Sequence, residues 1–248
     1  MRYFFEIAYN GTRYNGWQTQ HNATGVQTVV ENVLSQVLRE PVAVVASGRT
    51  DTGVHCMQQF FHADIEKTFE EKKLLQQLNS FLPKDIVIRR ARKVKDDAHA
   101  RYDAVERMYY YRITRTKNPF TAGLAWHYFK PVDVPRMNKA AAMMVGHHDF
   151  ECFSKVKTDV NHFLCDVKRA SWREKGDELE FTIVANRFLR GMVRAAIGTL
   201  LDVGTAKISL GDFKNILESR DRKKAGANVP AHGLYLSKVK YPASVFKH

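Results

Sequence analysis

The stretch CDVKRASWREKGDELEFTIVA, Cys165 to Ala185, decides the fold class. Two strand-like runs, roughly 165–174 and 178–185, are parted only by the turn Gly176-Asp177. A link that short joins antiparallel neighbours, because a parallel pair needs a crossover of about a dozen residues. Upstream, YYYRIT (109–114) and AWHYFK (125–130) read as strands, and GLYLSKVKY (233–241) reads as the last one. Nearer the start, RYFFEIAY (2–9) puts Tyr3, Phe5, Ile7 and Tyr9 on one side, as a half-buried strand does, and Asn10-Gly11 turns the chain. VAVVA (42–46), MQQFFHADI (57–65) and DIVIRRARKV (85–94) complete the strand set.

Helices separate these strands. Val26, Val29, Val30, Val33, Leu34, Val37 and Leu38 form a stripe at helical spacing that Pro41 ends. A helix near 69–81 stops before Pro83, and another opens at Pro135 with Met137, Ala140, Ala141 and Met144 inward. A long helix is expected over roughly 187–202, closed by Gly204, and a shorter one from Ser209, where Ser209 and Asp212 fit a capping pair. The class is therefore α+β with largely antiparallel sheets, divided near 98–105 into 1–103 and 104–248.

Composition narrows the function. The 248 residues carry 39 Lys and Arg against 26 Asp and Glu, a net charge of +13, with a 44% hydrophobic share suited to a globular core. Residues 1–100 hold 13 cations and 11 anions, whereas 101–248 hold 26 and 15. A folded basic surface that meets an acidic partner, above all nucleic acid, is expected. No apolar run approaches the ~18 residues of a membrane span, and a strand starting right after Met1 leaves no room for a signal peptide. Three cysteines without a CxxC pair favour a reducing cytoplasm.

Four constellations bear chemistry. In GRTDTGVH (48–55) two glycines bracket Arg49, Thr50, Asp51 and Thr52, so a tight loop presents these side chains together. A guanidinium beside Asp51 would keep its carboxylate ionised, fit to act as nucleophile or base; turn capping is the plainer role for such an aspartate. Arg187, Arg190 and Arg194 fall at i, i+3 and i+7, one helical face suited to phosphates or simply to water. Tyr109, Tyr110 and Tyr111 stand between Arg107 and Arg112, and Tyr14 and Trp17 beside Arg13 and Gln18, where exposed rings would stack on bases and inward ones fill the core. His148, Cys152, His162 and Cys165 contain the ligand types of a zinc site at an unfamiliar spacing. A non-catalytic RNA-binding module and a zinc-dependent nucleic-acid enzyme remain alternatives.

GRTDTGVH resembles the GRTD-(A/S)-GVH signature of the tRNA pseudouridine synthase A family. YNGWQTQ (14–20), NSFLPKDI (79–86), HARYDAVERMYYYRI (99–113), DFECFSK (149–155), NRFLRGMVRAAIGTLLDVG (186–204) and HGLYLSKVKY (232–241) resemble family segments in the same order, over nearly the whole chain. The resemblance implies two similar sheet halves with helices packed on them and an active-site cleft between. It implies isomerisation of uridine to pseudouridine at positions 38, 39 and 40 of the tRNA anticodon arm, by a homodimer, without cofactor or metal. Asp51 then matches the nucleophile, Tyr109 the ring stacking on the target uracil, Arg194 the aspartate's partner and Arg49 an arginine holding the flipped nucleotide. Arg187, Arg190, Arg13, Tyr14 and Gln18 are the expected further RNA contacts.

Overall fold

A computed structural model describes residues 1–156 and 160–246. The chain forms two compact units: Met1–Val105 with Tyr235–His248, and Glu106–Leu234. Its C-terminal strand thus returns to the first unit, which a contiguous split at 103/104 does not foresee.

The first unit contains β1 (Arg2–Tyr9), α1 (Val26–Leu38), β2 (Val45–Ala46), β3 (His55–Asp64), α2 (Glu71–Phe81) and β4 (Ile86–Lys93). β1 lies between β3 and β4 and is antiparallel to both. The alternating residues Tyr3, Phe5, Ile7 and Tyr9 are buried as expected, but so is Phe4. Phe4 sits on the opposite face under Val94, Ala98, Ala100 and Val245, with the rings of Tyr241 and Phe246 against it. The apolar stripe of α1 buries Val26, Val30, Val33, Leu34 and Leu38. The expected strand at 42–46 shrinks to two residues because α1 side chains take its backbone donors: Val42 N–H goes to Ser35 Oγ and Val44 N–H to Glu31 Oε1.

His62 on β3 fastens the segment that leaves this sheet. It is 6% exposed, its Nδ1 accepts the Ala100 N–H at 3.1 Å, and its ring meets that of His99 at 4.8 Å. Burial, aided by the nearby Arg2 guanidinium, holds the imidazole down at about 4.

The second unit contains β5 (Glu106–Thr114), β6 (Trp126–His127), α3 (Val134–Ala142), β7 (Gly146–Asp149), β8 (Leu164–Lys175), β9 (Glu178–Ala185), α4 (Met192–Gly204) and α5 (Leu210–Glu218). β5-β9-β8-β7 run antiparallel, β8 and β9 forming the expected hairpin, while the short β6 pairs with β5 in parallel. α3 buries Val134, Met137, Ala140 and Ala141. At α5 the Ser209 hydroxyl accepts the Asp212 N–H and the Asp212 carboxylate accepts the Ser209 N–H, the reciprocal cap expected from sequence. β10 (Leu234–Lys240) runs parallel to β3 of the first unit from Tyr235 on. The mixed α+β class holds. Among the described residues no helix is long and apolar enough to cross a membrane.

Candidate active site

The Gly48–His55 loop is fixed from below by the segment that follows β1. Thr50 is buried, its hydroxyl sharing a 2.7 Å hydrogen bond with Tyr9 Oη, which in turn accepts from Gln59 Nε2. The Thr50 carbonyl accepts the Trp17 N–H, and Gly53 N–H donates to the Tyr14 carbonyl. At the loop's end His55 Nδ1 accepts the Gly11 N–H, and the His55 ring stacks on Tyr235 at 4.6 Å. Gly16 makes the seat possible: its φ is +80°, and a β-carbon there would lie 2.3 Å from the Thr50 carbonyl oxygen. Asp51 follows the buried Thr50, half-buried, its own carbonyl accepting the Val54 N–H to close the turn.

Arg49 is exposed, and among the described residues its side chain has no ion pair or hydrogen bond. The Arg49–Asp51 pairing expected from their spacing is therefore not formed. The neighbouring RNA candidates separate too. Arg13 is exposed beside Asp85 at 3.7 Å. Tyr14 is 6% exposed with its hydroxyl donating to Asp85 Oδ1 at 2.6 Å, and burial raises its phenol well above the usual range. So placed, Tyr14 braces the loop and offers no face to a base, which corrects its assignment as an RNA contact. Gln18 Nε2 donates to Gln27 Oε1.

In the second unit Tyr109 and Tyr111 share one face of β5. Tyr111 is fully buried, with its hydroxyl donating to the Pro230 carbonyl. Tyr109, nearer the strand's start, is half-buried and stands edge-on to Phe188 at 5.1 Å. Arg194 lies in the first turn of α4, where its Nε donates to the Val229 carbonyl at 2.6 Å. Burial, with the Arg194 guanidinium near, lowers the His232 imidazole.

The expected helical face of arginines does not form. α4 begins at Met192, not near 187, because Gly191 takes φ +76° and the Arg190 carbonyl accepts from Lys155 N–H instead of joining a helical ladder. Arg187 and Arg190 belong to the turn before the helix. Arg187 meets the His162 ring at 3.2 Å, and Arg190 is exposed. The zinc candidates disperse as well. His148 Nε2 lies 3.0 Å from the Val145 carbonyl, and burial pushes the thiols of Cys152 and Cys165 up to about 12 and about 11. Among the described residues no three His, Cys, Asp or Glu converge as metal ligands. Phe188, Val229 and His232 were not foreseen as neighbours of the site residues. Phe188 lies within a quoted motif, but nothing local signals that residues 229–232 reach back to Arg194.

An aspartate-bearing loop locked beneath by main-chain contacts, on a basic α+β chain, is compatible with an enzyme that acts on nucleic acid, and the comparisons name the class. The profile of the tRNA pseudouridine synthase family matches residues 7–103 and 140–242. The chain belongs to the tRNA pseudouridine synthase family, a family of isomerases. The tRNA pseudouridine synthase A of Porphyromonas gingivalis is 49% identical over 99% of this chain and 99% of its own. That of Bacteroides thetaiotaomicron is 43% identical over 99% of this chain and 92% of its own, and that of Bacteroides fragilis 43% identical over 99% and 98%. Among solved structures, a chain of a Cbf5–Nop10–Gar1 complex overlaps at TM-score 0.33 and 10% identity, over 80% of this chain and 54% of that one, a likeness too slight to bear weight.

Proposed function

We propose that this chain converts uridine to pseudouridine at positions 38, 39 and 40 of the tRNA anticodon arm, with Asp51 as the nucleophile. Alongside the full-length family match, one observation carries the assignment. The loop buries Thr50, ties the backbone on both sides of Asp51 to the chain beneath, and leaves Asp51 half-buried. A carboxylate held in that way is positioned before substrate arrives.

The reaction breaks the N1–C1′ bond, turns the uracil and joins C5 to C1′. The proton leaving C5 is balanced by one gained at N1, so no redox partner is consumed. Asp51 either attacks C1′ or takes the neighbouring C2′ proton, and both routes need an ionised carboxylate. The base must first leave its stack, at a few kcal/mol, which phosphate contacts on a basic surface offset. Tyr109 is assigned to stacking on the target uracil, Arg194 to pairing with the aspartate, and the exposed Arg49 to holding the everted nucleotide. Arg187, Arg190, Arg13 and Gln18 are assigned to the RNA around it. The chain is further proposed to work as a cytoplasmic homodimer.

Unmodified tRNA and position-resolved pseudouridine detection test this. Asp51→Asn and Asp51→Ala should each lower turnover by about a thousandfold or more, while tRNA affinity stays within about threefold. Turnover by both variants would remove Asp51 from the nucleophile's role. Pseudouridine confined to sites outside 38–40 would overturn the positional assignment.

A further inference from the structure

The sheet of the first unit has a second charged surface. Cross-strand register sets Phe4 opposite both Arg92 and His62, and Glu6 opposite both Arg90 and Phe60, so these side chains share one face. A shallow groove there is lined by Phe4, Glu6, Gln58, Phe60, Arg90 and Arg92, with Phe246 along one wall. The Arg92 guanidinium carbon lies over the Phe246 ring, 4.5 Å from its centre. Among the described residues Arg90 and Arg92 have no carboxylate partner.

We infer that this groove holds a stretch of the substrate tRNA backbone away from the reacting nucleotide, with Arg90 and Arg92 gripping phosphate. The inference rests on the proposed function and deepens it. Three features choose the occupant. The depression measures about 150 Å³, below the ~300–1,000 Å³ of pockets that enclose a small ligand, so it suits a chain passing over it. Planar guanidinium forks match phosphate oxygens two at a time. The apolar lining of Phe60 and Phe246 supports a ribose or base edge between the charges. Phe60 lies five residues beyond His55 on β3, about 17 Å at ~3.4 Å per residue, so the groove meets nucleotides other than the one at the loop. Glu6 is the opposing charge and sets the sign of a control.

The test compares two double variants that each remove two positive charges. Arg90→Gln/Arg92→Gln empties the groove of its cations; Lys72→Gln/Lys73→Gln removes exposed lysines of α2 outside it. With unmodified tRNA, the arginine pair should raise KM and the dissociation constant about tenfold, leave kcat within about twofold, and make the log–log salt slope shallower by about 1–2. The lysine pair should change neither, and Glu6→Gln should tighten binding at low salt. Wild-type KM and slope in the arginine pair, equal shifts in both pairs, or weaker binding by Glu6→Gln would each overturn the groove. If the wild-type protein binds tRNA without forming pseudouridine, the proposed function falls, and the binding comparison still judges the groove. Thermal melts confirm that each variant is folded, and Arg92→Lys, which keeps the charge but loses the planar two-pronged donor set, gives an intermediate shift if the grip is bidentate.

Discussion

The Gly48–His55 loop and the Asn186–Arg194 segment both put functional candidates on irregular backbone, and both depend on a glycine with positive φ. They are held very differently. In the first unit, Gly16 carries φ +80° with the Thr50 carbonyl pressed against it, and hydrogen bonds from Tyr9, Tyr14, Trp17 and Gly11 converge on the loop. In the second unit, Gly191 carries φ +76° with nearly open space around it. Both segments are tied to neighbouring chain, the second through Asn186, Arg190 and Arg194, but only the first has backbone pressed against its glycine. The contrast fits their assigned work, since a nucleophile must be held in place whereas arginines that grip a flexible RNA need reach.

The largest effect expected from this contrast belongs to Gly16→Ala. The new β-carbon meets backbone at 2.3 Å from the Thr50 oxygen, and the left-handed φ adds its own strain, together about 3 kcal/mol or more. Because Thr50 adjoins Asp51, kcat should fall about a hundredfold even at temperatures where the variant is fully folded. Calorimetry and single-turnover kinetics measure the two effects. A near-wild-type melting temperature would mean that the loop is not clamped from below.

The first unit should also weaken in acid. Folding keeps His62 neutral down to about 4, while an unfolded histidine takes its proton near the ordinary 6.5. Below 6.5 the unfolded chain binds the extra proton, so stability drops as pH falls, and the loss levels off below about 4 once both states are protonated. By pH 4.5 this amounts to about 2–3 kcal/mol. Arg2 and His99 push the imidazole in the same direction, and Asp64 and Asp103 oppose them. His62→Asn, less stable at pH 7, should lose less melting temperature between pH 7 and 4.5 than the wild type does. Hydrogen exchange should show the Ala98–Asp103 segment opening first as the wild type is acidified. Equal pH losses in variant and wild type would place the acid-sensitive group elsewhere.

What the sequence made legible was local. The β8–β9 hairpin, the α1 stripe and the Ser209–Asp212 cap each depend on residues within one or two turns of one another, and each appears as expected. The GRTDTGVH loop was legible because its glycines, aspartate and flanking strands are contiguous. Failures came where a distant partner decides. Tyr14 reads as an exposed aromatic beside a cation until Asp85, 71 residues away, captures its hydroxyl. VAVVA has a strand's composition, yet Ser35 and Glu31 take its donors. Arg187, Arg190 and Arg194 keep helical spacing across Gly191, and periodicity carries no mark of the point where the backbone leaves the helix. Nothing local told that Tyr235–His248 belongs with the first unit.

Gly191→Ala, the smallest effect, sharpens the contrast most. Its β-carbon would meet only Asn228 Nδ2, at 3.6 Å, an ordinary contact, so the penalty is the φ strain alone, about 1 kcal/mol. The backbone has a way out that Gly16→Ala lacks: alanine favours the right-handed helix, and α4 could extend toward Arg187, setting Arg187, Arg190 and Arg194 on the single face their spacing describes. That extension would break the Lys155 N–H bond to the Arg190 carbonyl. Calorimetry should therefore find a loss about a third of that in Gly16→Ala, and amide exchange should show new protection over 189–192 if the helix lengthens. A penalty as large as that of Gly16→Ala would mean the arginine turn is as heavily constrained as the aspartate loop, and the contrast between the two regions would dissolve.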